Sequence, residues 1–403
     1  MTTTRLRITV LGLGRMGSAM AARLTEQVGD QHEIRTWTRR AGGSPTEVID
    51  GADVVLLCLY DGTACREVLD VCVGTLSTGM TVVNTATVAP SEAATLEALV
   101  VATGADYLHA PVMGSKPAVA AGRLTVLAGG KPGPEAELVL GPLGDTLVLG
   151  SSAEAAALKL VANGVLGDAL GCLRRALARG AALGLPRDAV VDALGRGALA
   201  GLAGAKRDIL AGLPNSGEAD FTAGALAKDL GLLAAETGSV LEVGEALGLL
   251  LADGSVANGD DIAYVAAASP DTSWLADARL DVSPEVVADP AVLRPLHSYA
   301  LTHATGDPSY LADAFVPTAR IDGYRDGELV SWDVDEFRGR FPGEPAADEA
   351  TRARCIERLD VHGSVATATM TLQHGADAFT DVFVLVRTPT GDWRIASKAY
   401  ERR

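Results

Sequence analysis

Aromatic residues are scarce: Phe, Trp and Tyr make up 4% of the 403 residues. The cores must therefore be built from Ala, Val and Leu. Positive charge is also in deficit, with 34 Lys and Arg against 51 Asp and Glu, a formal net charge of -17. That balance argues against nucleic acid and anionic membrane surfaces as partners, because both would repel the chain. It still allows a local basic pocket. The five cysteines (58, 65, 72, 172 and 355) show no CxxC or Cys/His spacing, so no metal site is expected. Reduced thiols in a cytoplasmic setting are the expectation. No uninterrupted apolar run reaches the roughly 18 residues of a membrane span, so none is expected. The start, MTTTRLRITVLGLG, has no long apolar run before a cleavage signal, and no secretory leader is expected.

What is present is patterned. The β-branched run Arg7 to Leu11 leads into Gly12-Leu13-Gly14-Arg15-Met16-Gly17 and then into SAMAARLTEQV, which reads as a helix. Strand, Gly-rich turn and helix in this order make a dinucleotide fingerprint. Gly12 allows the tight turn, Gly14 lets the backbone approach a pyrophosphate, and Gly17 lets helix and strand pack closely. The helix N-terminus adds N–H donors and a positive dipole end. The second strand, EIRTWT, ends in Thr38-Arg39-Arg40, where an NAD site would carry an acidic residue for the ribose hydroxyls. Two guanidiniums there suit a 2′-phosphate, so NADP(H) is expected over NAD(H). Further short strands follow at 52–59, 80–84, 106–110, 124–130 and 145–150. The loop Pro111 to Lys116 lies at a strand's C-terminal end, where open α/β sheets bind ligands.

The stretch 153–183 is dense in Ala and Leu and free of Pro, which predicts one long helix. Lys159 and Asn163 are four residues apart and share a face. Spacing alone leaves open whether that face is a catalytic wall or an ordinary helix surface. Helical patterning continues to residue 268. Residues 269–285 mix Pro, Asp and Ser with little periodicity and read as a linker.

Four ordered motifs resemble the β-hydroxyacid dehydrogenase family, whose relatives include the imine reductases. They are GLGRMGSAM (12–20), NTATVAPSEA (84–93), APVMGSKPAVAAGRLTVLAGG (110–130), and the long helix with Lys159 and Asn163 at the family's Lys and second Asn. The resemblance covers residues 5–270. It implies an NADPH-dependent oxidoreductase moving hydride between nicotinamide and a small carbonyl or hydroxy compound. Lys159 would be the general acid/base, and Asn163 would orient either Lys159 or the substrate oxygen. The cofactor set it implies is Gly12, Leu13, Gly14, Arg15, Met16, Gly17, Thr38, Arg39, Arg40, Cys58, Leu59, Thr87 and Lys228. Met113, Gly114, Ser115 and Asp229 would line the substrate pocket. Met113 stands where the family has a carboxylate-holding Ser, Ser115 where it has Gly, Ala86 where it has Ser, and Ala162 where it has its first Asn. A thioether cannot donate a hydrogen bond, so a larger or less acidic substrate is expected than a simple 2-methyl-3-hydroxy acid. The alternatives are a C=N substrate, or a non-catalytic NADPH-binding protein whose tail binds ligand.

The tail reads as helices first (290–305, 308–314, 335–339), then strands at 364–372, 380–387 and 393–399, an α+β order. DPSYLADAFVPTARIDGY and TDVFVLVRTPTGDWRIASKAY resemble the nuclear-transport-factor-2-like superfamily, especially its lumazine-binding-like and polyketide-cyclase-like members. That resemblance implies a cone with one pocket, for which His297, Tyr299, His303, His362, His374 and Asp381 are candidates. The expected fold is α/β throughout the first domain, a Rossmann dinucleotide-binding domain over 1–152. An all-helical domain over 153–268 follows, joined by a long interdomain helix. After the linker over 269–285 comes an α+β cone-shaped barrel over 286–403. Relatives of both halves dimerise, so a homodimer is expected.

Overall fold

A computed structural model describes residues 5–213, 217–238, 242–252, 254–268, 273–283, 286, 289–325, 328–375 and 377–402. The chain divides into two compact units. One comprises Met1–Ala169, Ser216–Glu245 and Asn258–Ile262. The other comprises Leu170–Asn215, Ala246–Ala257 and Ala263–Arg403.

The first unit is built on five parallel strands: β1 (Arg7–Leu11), β2 (Glu33–Trp37), β3 (Val54–Leu57), β4 (Thr81–Asn84) and β5 (Asp106–His109). Their order, β2-β1-β3-β4-β5, is open and doubly wound. Every residue of β3 and β4 is buried, as expected of strands covered on both faces. Alternation sorts their side chains. Val54 and Leu56 join Ile8 and Val10 in one core, while Val55 and Leu57 join Leu11 and Val82 in the other. A small second sheet, β6 (Val112–Met113), β7 (Leu124–Gly129) and β8 (Gly144–Leu149), follows in the order β6-β7-β8.

The long helix runs Ser152–Ala182, one residue earlier at each end than expected. By length and composition it could cross a bilayer. It also carries Lys159, Asn163, Asp168, Arg174 and Arg175 and buries Ala155, Ala156 and Leu160. Ala156 belongs to the core under β3 and β4. That packing assigns the start of the helix to the first unit, so the helical region expected as one domain over 153–268 is divided between the two units.

The second unit holds a seven-stranded sheet. Its strands are β9 (Leu280–Val282), β10 (Phe315–Arg325), β11 (Glu328–Asp333), β12 (Ala353–His362), β13 (Val365–His374), β14 (Asp377–Arg387) and β15 (Trp393–Arg402), in the order β11-β10-β15-β14-β13-β12-β9. The helix Pro290–Thr305 packs its apolar face on the sheet, with Leu293, Leu296 and Tyr299 in a core with Ile356, Met370, Phe383 and Ile395. Most neighbouring strands are antiparallel, which gives the expected α+β order. The linker reading fails over 273–283. Ser273–Ala278 is a 3-10 turn, and β9 pairs in parallel with Arg354, Cys355 and Ile356 of β12. A three-residue strand is too short to show alternation, and only its pairing across the sheet reveals it.

Candidate active site

The Gly-rich turn follows β1 directly. Gly12 has φ +101, and a Cβ there would lie 2.5 Å from the Cys58 carbonyl oxygen and 2.8 Å from a Leu59 methyl. A Cβ on Gly17 would collide with the Gly12 carbonyl oxygen. A Cβ on Gly14 would meet nothing within 4 Å, so the backbone there faces open space at the N-terminus of Arg15–Val28. This is the cradle that a pyrophosphate needs. Beside it lies a cleft of about 1080 Å³ lined by Leu13, Gly14, Arg15, Ser18, Thr38, Arg39, Arg40 and Lys116, among others.

The remaining cofactor candidates fall into two groups. Arg39 pairs with Glu67 at 2.7 Å. Arg40 is exposed and has no ion-pair partner among the described residues. Arg15 donates to the Ala219 carbonyl at 3.2 Å. The Met16 side chain packs into the core, so the cleft can receive only its backbone N–H, one of the first-turn donors without a helical partner. Cys58 likewise turns its thiol inward, 3.5 Å from the Thr85 hydroxyl. Burial pushes that thiol up to about 11, outweighing the hydroxyl. Cys58 meets the turn through its backbone at Gly12 and its Cβ at Gly17, not through its thiol. Sequence reading missed Ser18 and Lys116. Lys116 is the last residue of the loop singled out above, where it was given no role, and it pairs with Glu218 at 2.7 Å.

The catalytic candidates meet where the strands end. Lys159 is half-buried on the long helix and donates to Asn163 Oδ1 at 3.0 Å. Asn163 Nδ2 in turn donates to Asp229 Oδ2 at 2.6 Å, across 66 residues of sequence. The helix Ala223–Thr237 supplies Asp229 and Lys228. Lys228 Nζ lies 2.6 Å from Asp229 Oδ1 and donates to the Thr87 carbonyl, just beyond β4, at 2.9 Å. The same ammonium sits 5.4 Å from the centre of the Tyr60 ring, just beyond β3. Tyr60, which sequence reading missed, directly follows the Cys58-Leu59 pair that bounds the Gly-rich turn. Burial lowers the Lys159 pKa from its usual value. The Asp229 carboxylate opposes that shift and the Lys228 ammonium adds to it.

Asp229 does not line a pocket as expected. It is 2% exposed, because Asn163 and Lys228 close over it. Lys228 directs two of its three donors to Thr87 and Asp229. Of the substrate-loop residues, Met113 is 39% exposed on β6. Gly114 has φ +126, and a Cβ there would press 2.7 Å from a Leu124 methyl. Ser115 caps the short helix Lys116–Ala120 by position, without a side-chain hydrogen bond. No described residues group as a metal-binding cluster.

In the second unit, Tyr299 donates to Asp381 at 2.6 Å and Lys398 pairs with the same carboxylate at 3.1 Å. Lys398 is the member that sequence reading missed. His303 stacks edge-on against Tyr299, with ring centres 4.7 Å apart, whereas His297 turns elsewhere to meet Asp277 at 2.6 Å.

Comparison with known proteins agrees with both halves. Residues 7–150 match the NAD binding domain of 6-phosphogluconate dehydrogenase, and residues 288–401 match a putative lumazine-binding family. The cytokine-like nuclear factor N-PAC of Mus musculus is 28% identical over 214 residues, 50% of this chain and 39% of that protein. The chain thus spans about two-fifths of the length of the first curated relatives it matches. The 2-(hydroxymethyl)glutarate dehydrogenase of Eubacterium barkeri is 27% identical over 207 residues, 47% of this chain and 69% of that one. Among solved structures, the Mycobacterium tuberculosis 3-hydroxyisobutyrate dehydrogenase with L-serine superposes with a TM-score of 0.56 at 23% identity. It covers 65% of this chain and 98% of its own, a likeness of fold. The chain therefore joins a nicotinamide-dinucleotide-binding domain of the 6-phosphogluconate dehydrogenase type to a C-terminal domain of the lumazine-binding type.

Proposed function

We propose that this protein is an NADP(H)-dependent oxidoreductase acting on a small carbonyl or hydroxy compound, with Lys159 as its general acid/base. The hydrogen-bonded chain Lys159–Asn163–Asp229 carries this reading. It gives the half-buried Lys159 a fixed partner, and Lys228 ties the same network to the Thr87 carbonyl just beyond β4. The residues present fit the cofactor, because the backbone is open at Gly14 and guanidiniums line the adjoining cleft. A bound nicotinamide would supply or accept the hydride. Arg39 and Arg40 would hold a 2′-phosphate, Arg39 by exchanging its Glu67 partner for it, and no acidic residue follows β2 at the position that would hold a bare ribose.

The chain's own residues handle the proton. In reduction, Lys159 donates a proton to the carbonyl oxygen, and its positive charge stabilises the oxyanion as it forms. In oxidation, the neutral amine withdraws that proton. Desolvation brings the amine nearer to the operating pH, which suits it to both directions. Asn163 fixes the direction of the ammonium. Met113, Gly114 and Ser115 would shape the substrate side. Met113 offers no donor for a carboxylate, which favours a substrate without one at that position.

Lys159→Ala should abolish turnover, with NADPH still bound as read by fluorescence titration. Full turnover by the variant would sink this assignment. A second reading, a dinucleotide-binding protein without turnover, is favoured by the nuclear-factor relatives and by Met113, Ala86 and Ala162. Incubating the protein with NADPH and a panel of ketones, keto acids and cyclic imines separates the two. Tight NADPH binding with no oxidation by any of them favours the second. Selective oxidation by imines would make the substrate a C=N compound.

A further inference from the structure

Asp229 is a carboxylate placed in the interior at 2% exposure. A charge is tolerated there only with partners. It has two of opposite kind: the Asn163 amide at 2.6 Å and the Lys228 ammonium at 2.6 Å. We propose that Asp229 is the positioning residue of the active site, acting through Asn163 to aim Lys159 and countering the charge of Lys228 so that Lys159 keeps its proton. This rests on the acid/base role of Lys159 given above.

Donor and acceptor chemistry sets the direction. An ionised carboxylate only accepts, so Asn163 must turn its Nδ2 toward Asp229. That leaves Oδ1, and only Oδ1, facing Lys159. Lys159 must then donate, and its ammonium is held on one side of the long helix. Were the amide reversed, its NH₂ would face the ammonium and repel it. Asp229 thus fixes an orientation that Asn163 alone could not keep.

Charge gives Asp229 its second effect. Two ammoniums serve one site, Lys159 on the long helix and Lys228 on the helix Ala223–Thr237. Lys228 is tied to the Thr87 carbonyl and cannot move away without losing that bond. Asp229 lies between them as the compensating negative charge. Tyr60 also faces this cluster, and burial raises its phenol's pKa, with the Asp229 and Asp61 carboxylates adding to the rise. Without the carboxylate, two like charges would share a half-buried space, and Lys159 would lose its proton more easily.

The test compares Asp229→Asn and Lys228→Gln in the full chain. The Lys159 amine is titrated by NMR with ¹³C-labelled lysine, its signal assigned with Lys159→Arg. Asp229→Asn should lower the Lys159 pKa by about one pH unit or more, and Lys228→Gln should raise it. A purely structural role for Asp229 would not move the two variants in opposite directions. The pH profile of kcat/KM for reduction of a ketone that supports turnover should shift with the NMR titration. If Asp229→Asn folds and leaves the Lys159 titration in place, the proposal is overturned. If Asp229→Asn does not fold, Lys228→Gln decides, and an unchanged Lys159 titration there also overturns it. If the NMR titration moves while the kinetic profile does not, Asp229 controls Lys159 as proposed, and the acid/base role of Lys159 is what fails.

Discussion

Arg40 lines the cleft beside the dinucleotide turn with no carboxylate to hold it among the described residues, while its neighbour Arg39 is tied to Glu67 at 2.7 Å. The two arginines should therefore differ in use. Arg40 can meet a 2′-phosphate without giving up a partner. A charge-assisted hydrogen bond is worth about 1.5–3 kcal/mol, so Arg40→Ala should weaken NADP(H) binding roughly 10- to 100-fold. NAD(H) binding, measured in the same calorimetric titration, should change little, since it lacks the phosphate. Equal losses for both cofactors would show that Arg40 does not read the phosphate. The Gly-rich turn was legible in the sequence because its residues are neighbours in the chain: the spacing of Gly12, Gly14 and Gly17 anticipates the close approaches at Gly12 and Gly17 and the open backbone at Gly14. The partnership of Asn163 with Asp229 was not legible. It joins residues 66 apart, and nothing in either local sequence says that the carboxylate faces inward. Lys-Asp in a helix reads as a solvated pair, and only the packing of two helices turns it into a buried anchor.

At the scale of elements, legibility followed the length and purity of the pattern. The Ser152–Ala182 helix was readable to within one residue at each end, because it has no Pro and its density of Ala and Leu outweighs Gly164, Gly167, Gly171 and Gly180. Strands β13, β14 and β15 alternate cleanly enough to be read. β10 escaped because Pro317 and Gly323 interrupt it, and β12 because Arg354 occupies an inward position where a pattern expects an apolar residue. Arg354 is 1% exposed and completes the interior with a two-pronged pair to Glu349, at 2.8 and 2.9 Å, and a bond to the Ala278 carbonyl at 3.2 Å. It thereby clamps β12 to the segment leading into β9. Removing one partner of a buried pair leaves an uncompensated charge and costs about 3–5 kcal/mol. Glu349→Ala should lower the urea midpoint of the second unit accordingly. The double variant Arg354→Met with Glu349→Leu should recover most of that loss, since it removes the charge with its partner. If the single variant is as stable as the parent, the clamp contributes nothing.

Over the whole molecule, acid should act on both units through buried histidines. His109, at the end of β5, is fully buried with neither ring nitrogen hydrogen-bonded, and burial pushes its pKa down to about 4. His374, at the end of β13, is also pushed to about 4 by burial, with the nearby Arg352 and Arg354 guanidiniums adding to it. Both are neutral in the folded protein at pH 7. Above about pH 6.5, the ordinary histidine value, the unfolded chain is neutral there too and neither group affects stability. As pH falls below that value, the unfolded chain takes up protons that the folded one refuses, so stability falls until pH reaches about 4. For His109 the full effect is roughly 3 kcal/mol, at about 1.4 kcal/mol for each pH unit between the two values. His374 is partly exposed and contributes less. Acid also relieves the repulsion behind the net charge of -17, which acts in the opposite direction. Comparison with a variant cancels that background. His109→Leu keeps a side chain of similar bulk and removes the titrating ring. Between pH 7 and pH 5 it should lose about 2 kcal/mol less stability than the parent in urea unfolding, because roughly 1.5 pH units of the window are crossed. If the two proteins lose stability in parallel, the His109 ring is not the acid-sensitive group, and the sensitivity of the first unit lies elsewhere.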